Sequence, residues 1–250
     1  MPIARHALAL ARAEFKAFWS SANGGLALAV FLILGGLWFY NSVVSYSFAN
    51  LEALARGRVL DANLALFSAS LSRLGLIVML VTPLSTMRAF ASFERGGHLD
   101  LLLAWPLTRA EIVLGHFGAS LGSLALLLLL SALPFALALA MGVGTLKLLA
   151  VAFLGLILLG SAFTAVGLAV ASRTRAPFAA ALATLGILSV LWGAGWAAPY
   201  LADLAAALVQ GLSFGPRVER FSLGLINFND VFYFLCLTAM GLGLAQPFEE

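Results

Sequence analysis

Charged residues are scarce in this sequence. Asp, Glu, Lys and Arg together make up 10% of its 250 residues, whereas soluble domains carry about 25%. Hydrophobic residues make up 62%, and no polar stretch reaches the roughly 50 residues that a separate soluble domain needs. The composition therefore predicts a polytopic membrane protein in which residues 1–250 form a single transmembrane domain.

The sequence also lacks the common catalytic and nucleotide-binding motifs. It contains no G-x-x-x-x-G-K-[ST], no H-E-x-x-H and no G-x-S-x-G. Its three histidines, His6, His98 and His116, lie far apart, and Cys236 is the only cysteine. We therefore expect no catalytic residue, no metal site and no cofactor in the chain. The spans contain no paired carboxylates, which argues against a carrier driven by a proton relay. The energy for any transport must therefore come from a partner.

The apolar runs predict an all-α protein with six spans, at about 24–44, 67–90, 112–141, 148–171, 178–198 and 230–246. Basic residues flanking the spans decide the orientation. With both termini inside, the cytoplasmic side holds Arg5, Arg12, Lys16, Arg88, Arg95, Arg109, Arg173 and Arg175, and the outer side holds Arg56, Arg58, Lys147, Arg217 and Arg220. The excess predicts an N-in, C-in protein of the inner membrane. The net charge of +3 reflects these flanks rather than nucleic-acid binding.

The sequence also predicts the structure of the segments between the spans and two features of the third span. A polar loop with Glu52 and Arg56 should follow the first span, and Gly142 to Lys147 should form a tight outer turn. Gly118-x-x-x-Gly122 permits close helix contact in the third span, where Pro134 should produce a kink. The outer segment 199–229 could contain a surface helix over Tyr200–Leu212. We expect Glu219, Arg220 and Asp230, near its end, to be solvated.

The first 21 residues have the pattern of an interfacial helix that contacts membrane lipid. At about 100° per residue, Arg5, Arg12 and Lys16 fall within about 40° of one another. Phe15 and other apolar residues cover the opposite side. Glu14 falls among these apolar residues. It either lies at the edge of the apolar arc and reaches water, or faces protein and pairs with an arginine such as Arg88 or Arg95.

Arg73 is a charge within the second span, towards its outer end. One interpretation is that its side chain extends to the outer interface. The alternative is a charge that faces a cavity and contacts substrate along a transport pathway.

The stretch 91–114 is the most informative part of the chain. Its charges, among them Glu94, Arg95 and Asp100, cannot lie in hydrocarbon, so we expect an aqueous elbow between the second and third spans. After the break at Gly96–Gly97, the spacing predicts one apolar helix face, formed by Leu99, Leu102 and Leu103. Pro106 should end or kink this helix. Such a helix is suited to pressing on another protein.

These residues resemble the signature of ABC-2-type transporter permeases, most closely the gliding-motility F-type permeases. The resemblance rests on three regions of the chain, which together cover nearly all of it. They are Arg12-A-Glu14-Phe15; the central run with Pro83, Met87, Arg88, Phe93, Glu94, Arg95, Gly96, Gly97, Leu101, Leu102, Leu103, Pro106, Leu107, Thr108, Ile112, Leu114 and Gly115; and the late run with Arg220, Gly224, Ile226, Asp230, Tyr233 and Phe234.

The resemblance implies a complex of two permeases, identical or related, with two cytoplasmic ATPase subunits that bind ATP and Mg²⁺. It identifies the elbow as a coupling helix that docks on the ATPase through Phe93 and the apolar leucine face. Glu94 and Arg95 would then fix the register by charge. A different hypothesis is a membrane anchor or scaffold of a motility or surface-assembly complex that moves no solute. A metal or sulfur-compound exporter is a third, less favoured because the spans lack ladders of Met or Cys.

Overall fold

The computed structural model describes residues 2–58, 60–87, 89, 108–174 and 176–245, and this part of the chain is helical without any strand. The helices are α1 (Pro2–Trp19), α2 (Ala22–Ala55), α3 (Ala69–Thr86), α4 (Arg109–Ser131), α5 (Leu133–Ala140), α6 (Leu146–Ala171), α7 (Pro177–Ala197), α8 (Asp203–Leu212), α9 (Gly215–Ser222) and α10 (Phe228–Leu244). A π-helical turn, Asn63–Ser68, precedes α3, and a 3-10 turn, Ala198–Tyr200, follows α7.

Five helical segments of the described chain are long and apolar enough to cross a membrane. They are Ala22–Ala55, Ala65–Thr86, Arg109–Ala140, Leu146–Ala171 and Pro177–Tyr200. The chain is therefore an α-helical, multi-pass membrane protein. The sixth predicted span corresponds to α10, whose 17 residues fall short of the roughly 20 that a full crossing needs. The count of six and the orientation remain predictions.

Three connections refine the sequence predictions. Helix α2 continues to Ala55, well beyond the expected end of the first span, and an ion pair between Glu52 and Arg56 joins its last turn to the C-cap. The helical run after Arg109 is interrupted at Ala132 because Pro134 cannot continue it, as predicted. The tight turn predicted at Gly142 to Lys147 is also confirmed, whereas its position outside the membrane remains a prediction. Gly144 adopts a φ of +90° there, beside the Phe67 ring, so the turn requires glycine.

Helix α6 is the centre of the bundle and contacts α3, α4, α7, α9 and α10. Its small residues make these approaches possible. Added Cβ atoms would meet Leu124 at Gly160, Phe221 at Gly155 and Thr86 at Gly167. Without such space the helices could not pack closely, and in a membrane close packing replaces the hydrophobic effect as the main attraction between helices.

The helix ends gather at two ends of the bundle. At one end, which we call the elbow end, α3 and α6 finish, α7 begins and α10 finishes. Ala89, Val113, Ala171, Ala180 and Ala245 belong to one apolar cluster there. Ala89 and Val113, the described residues on either side of the segment 90–107, therefore lie at the same end of the bundle. At the other end, the outer turn packs against the π-helical turn.

The segment between α7 and α10 enters the bundle rather than lying wholly outside it. Helix α8 lies within the predicted surface helix, but Phe214 packs on Phe163 with ring centroids 5.0 Å apart. From there α9 returns along α6, so that Phe221 reaches Gly155. Gly224 closes the turn after α9 with a φ of +77°, beside Leu148. Residues 213–222 therefore pack into the bundle, which the sequence did not predict, and the position of the segment on the outer side of the membrane remains a prediction.

Two neighbouring glycines of α10 provide a test of this packing. A Cβ at Gly241 would lie 2.8 Å from the backbone carbon of Ala165, whereas a Cβ at Gly243 would meet nothing within 4 Å. Because a backbone atom cannot move aside alone, Gly241→Ala should lower the free energy of unfolding by about 1–3 kcal/mol. Gly243→Ala should be neutral or stabilising by up to about 1 kcal/mol. Thermal unfolding in detergent checks both, and equal effects would contradict the α6–α10 contact.

Candidate functional site

The predicted partner-contact residues of the elbow lie outside the described residues. They are Phe93, Glu94, Arg95, Gly96, Gly97, Leu99, Leu102, Leu103 and Pro106. The residues on both sides of this segment are described, and the start of α4 is held by side-chain hydrogen bonds. The Thr108 hydroxyl accepts a hydrogen bond from the Glu111 backbone N–H, and the Glu111 carboxylate accepts one from the Thr108 N–H at 2.6 Å. This capping box fixes the first turn of α4.

The capping box was missed by the sequence reasoning, although its signal is present. Thr108 and Glu111 have the T-x-x-E spacing directly before an apolar run. Reading that spacing would have placed the start of α4 at Arg109 rather than at Ile112.

Helix α1 packs side by side with α4, running in the same direction. Leu10 packs over Gly115 and Phe15 packs over Gly122. A Cβ added at Gly118 would lie 3.4 Å from the Cβ of Ala11. The close contact predicted from Gly118-x-x-x-Gly122 is thereby confirmed, and its partner is α1. Phe15 therefore faces protein, while Arg12 and Lys16 remain exposed.

Two histidine–glutamate contacts join α1 to α4. Helix α1 contributes the histidine to one contact and the glutamate to the other. His6 of α1 lies 3.2 Å from the Glu111 carboxylate, and Glu14 of α1 lies 3.9 Å from His116 of α4. The side chains on α4 are buried, with 3% exposure each. Each contact becomes an ion pair only when its histidine is protonated.

Glu14 combines features of both interpretations, because its carboxylate lies beside His116 while 37% of its side chain is exposed. Burial raises its pKa above the ordinary glutamate value. The suggested partners Arg88 and Arg95 lie outside the described residues, and the histidine beside Glu14 was not anticipated. The contact could not be read from the sequence because Glu14 and His116 are far apart in the chain.

Arg73 faces a cavity of about 500 Å³ between α3, α7 and the segment around α9. Its side chain is half-buried and its Nη1 atom donates a hydrogen bond to Ser42 Oγ at 3.1 Å. Trp192, Trp196 and Glu219 also line the cavity. Of the two sequence interpretations, the geometry agrees with the cavity-facing charge, and contact with a substrate remains a prediction. A cavity lined by a guanidinium and two indole rings suits an anionic group with apolar parts.

A buried ion cluster fastens α9 to α10, contrary to the expectation that Asp230 is solvated. The Asp230 side chain is 1% exposed and accepts hydrogen bonds from Arg217 Nη1 at 2.7 Å and from Arg220 Nε at 2.7 Å. Hydrogen bonding to Asp230 raises the pKa of Arg220. The Arg217 guanidinium also lies 3.9 Å from the centroid of the Tyr233 ring. Glu219 is exposed, as expected.

The cluster contains several residues of the late run described in the sequence analysis. Arg220 and Asp230 pair with each other, Gly224 forms the turn between them, and the Tyr233 hydroxyl donates a hydrogen bond to the Leu212 carbonyl at 2.6 Å. The run therefore holds the α8–α9 segment against α10. Its role in this chain is structural.

Within the described ranges, no group of three or more His, Cys, Asp or Glu residues could hold a metal ion. No protein-family model matches the chain, and a search of curated proteins gives no significant match.

Proposed function

We propose that this protein is the membrane-spanning permease subunit of an ATP-binding-cassette transporter of the inner membrane. It has no nucleotide-binding motif of its own, so partner ATPase subunits supply ATP hydrolysis. The observation that supports the proposal is the position of the described residues on either side of the predicted elbow. Both of its flanks, at Ala89 and Val113, join the apolar cluster that also contains the ends of α6 and α10.

A push on such an elbow would reach the centre of the bundle directly. Helices α3 and α4, which the elbow connects, both pack on α6. Packed helices move as rigid bodies between discrete arrangements. Docking of the elbow on an ATPase, through Phe93 and the leucine face, would bias the bundle between two such states.

The Arg73 cavity is our candidate for a substrate contact on the pathway. We expect its positive charge to attract anions, and a single tryptophan can report this. In a variant that keeps only Trp196, Arg73→Met should lower the quenching constant of iodide about 2–5-fold, as expected for losing about 0.5–1 kcal/mol of attraction. Quenching by neutral acrylamide should not change.

Arg12→Met is the matched control, because it removes an exposed charge from α1, far along the bundle from the cavity. It should leave iodide quenching of Trp196 unaltered. An equal loss in both variants would show that net charge, rather than the charge in the cavity, controls access.

Purification in mild detergent followed by mass spectrometry tests the proposal as a whole. We expect two ATPase subunits and two permease chains, identical or related, in the isolated complex. A lone chain with no nucleotide-hydrolysing companion would contradict the proposal.

A membrane anchor is the second candidate, and the length of α2 favours it. Its 34 residues span about 51 Å at 1.5 Å per residue, against a hydrocarbon core of about 30 Å. The excess carries exposed Phe48, Leu51 and Leu54, which an accessory partner could cover. ATP hydrolysis by the purified complex distinguishes the candidates. A permease should respond to a substrate, whereas an anchor should not respond to any.

A further inference from the structure

A cavity of about 250 Å³, with several polar side chains in its lining, lies between α1, α3 and α4 at the elbow end. It is separate from the Arg73 cavity and from the ion cluster. Glu14 and Ser21 line it from α1 and the turn that follows, Ser85 from α3, and His116, Ser120 and Ser123 from α4. The histidine lies 3.9 Å from the Glu14 carboxylate. The volume exceeds the roughly 30 Å³ share of one water molecule several-fold, so a group of several heavy atoms fits.

The hydrogen bonds of the four serines define what the cavity can bind. Each hydroxyl donates its proton to a backbone carbonyl: Ser21 to Phe18, Ser85 to Thr82, Ser120 to Ser85 and Ser123 to Ala119. A hydroxyl whose proton is engaged retains only acceptor lone pairs. Together with the Glu14 carboxylate, the serines therefore offer hydrogen-bond acceptors to an occupant.

The charges around the cavity also favour a hydrogen-bond donor, and specifically a cationic one. No lysine or arginine is among the described residues that line it, although α1 exposes Arg12 and Lys16 on its other side. Burial raises the pKa of Glu14, so the ionised carboxylate is costly to keep there without a cation. A positively charged donor would offset that cost.

We propose that this cavity binds a primary ammonium group, supplied either by the headgroup of an amino-lipid or by a soluble amine. Three N–H donors of an ammonium match the Glu14 carboxylate and the serine oxygens. A trimethylated ammonium has no N–H and cannot make these bonds. A lipid headgroup and a soluble amine offer the same ammonium chemistry, and the second experiment below distinguishes them. The site is independent of ATP coupling.

The first experiment uses the full-length chain in detergent, with ethylammonium and tetramethylammonium chloride as probes at equal ionic strength. Calorimetric titration should detect ethylammonium and not tetramethylammonium. Glu14→Gln should weaken ethylammonium binding at least tenfold, while Glu52→Gln, which changes an exposed carboxylate on α2, should leave it unchanged. Equal binding of both probes, or full binding by Glu14→Gln, would overturn the proposal.

The second experiment identifies the source of the ammonium. Native mass spectrometry of the delipidated chain should show retention of phosphatidylethanolamine over phosphatidylcholine of the same acyl chains if a lipid occupies the site. Ethylammonium binding without lipid preference would assign a soluble amine. Failure to bind either would refute the site.

The pH dependence separates loss of the site from misfolding of the variant. Wild-type binding should weaken as pH falls through the raised pKa of Glu14, because a protonated carboxyl no longer attracts the ammonium. His116, which faces Glu14 from α4, would repel the ammonium once protonated and so acts in the same direction. Glu14→Gln should show weak binding at every pH and an unchanged elution volume. A wild-type affinity that stays constant through this range would argue against Glu14 as the ligand.

Discussion

Replacing Asp230 with alanine should destabilise the protein by about 3–5 kcal/mol, the range seen when one partner of a buried ion pair is removed. The carboxylate is 1% exposed and neutralises two guanidinium groups, of which Arg217 is itself 13% exposed. Without it, two positive charges would face each other in the bundle. Unfolding in detergent, followed by circular dichroism or by thermal aggregation, measures the loss.

Two variants make this prediction specific to the buried pair. Asp230→Asn keeps the shape and some acceptor capacity, so its cost should be smaller than that of alanine. Glu52→Ala breaks the exposed pair with Arg56, whose side chains are 65% and 70% exposed, and should cost less than about 1 kcal/mol. A comparable loss for Glu52→Ala and Asp230→Ala would contradict the importance of burial.

The double substitution Phe93→Ala/Leu102→Ala should abolish the stimulation of ATP turnover in the assembled complex. Deleting two apolar anchors at the centre of an interface costs about 2 kcal/mol or more for each, which corresponds to roughly a thousandfold weaker docking. ATP hydrolysis by the reconstituted complex, compared with the isolated ATPase, gives the readout.

Leu101→Ala is the matched control for the elbow. At about 100° per residue, Leu101 falls on the side of the predicted helix opposite to Leu99, Leu102 and Leu103. It should retain stimulation close to that of the wild type. Wild-type stimulation by the double variant would show that the ATPase does not dock on this face.

Much of the fold could be predicted from local patterns. Apolar runs located the membrane helices, the basic arc of Arg12 and Lys16 marked the exposed face of α1, and Pro134 indicated the break after α4. These features depend on periodicity or on a single residue's backbone restriction, so neighbouring residues are enough to reveal them.

The contacts between distant residues could not be predicted in the same way. The sequence predicts that Glu219, Arg220 and Asp230 are solvated, because an isolated charge cannot remain in an apolar bundle. The structure satisfies that rule by pairing Asp230 with Arg217 and Arg220. Similarly, the sequence gives no reason for Glu14 on the apolar face of α1. In the structure, Glu14 lies beside His116 of α4 and lines the serine-containing cavity. Each case depends on a partner from another helix, which no local pattern contains.

Cross-linking from the elbow tests the central proposal most directly. A single cysteine, Leu99→Cys in a Cys236→Ser background, carries a photoactivated linker in the membranes of intact cells. We predict a cross-linked product with a cytoplasmic ATPase subunit, and labelling of the cysteine only by reagents that cross the membrane. Labelling by an impermeant reagent from outside the cell, with no ATPase product, would contradict the proposal.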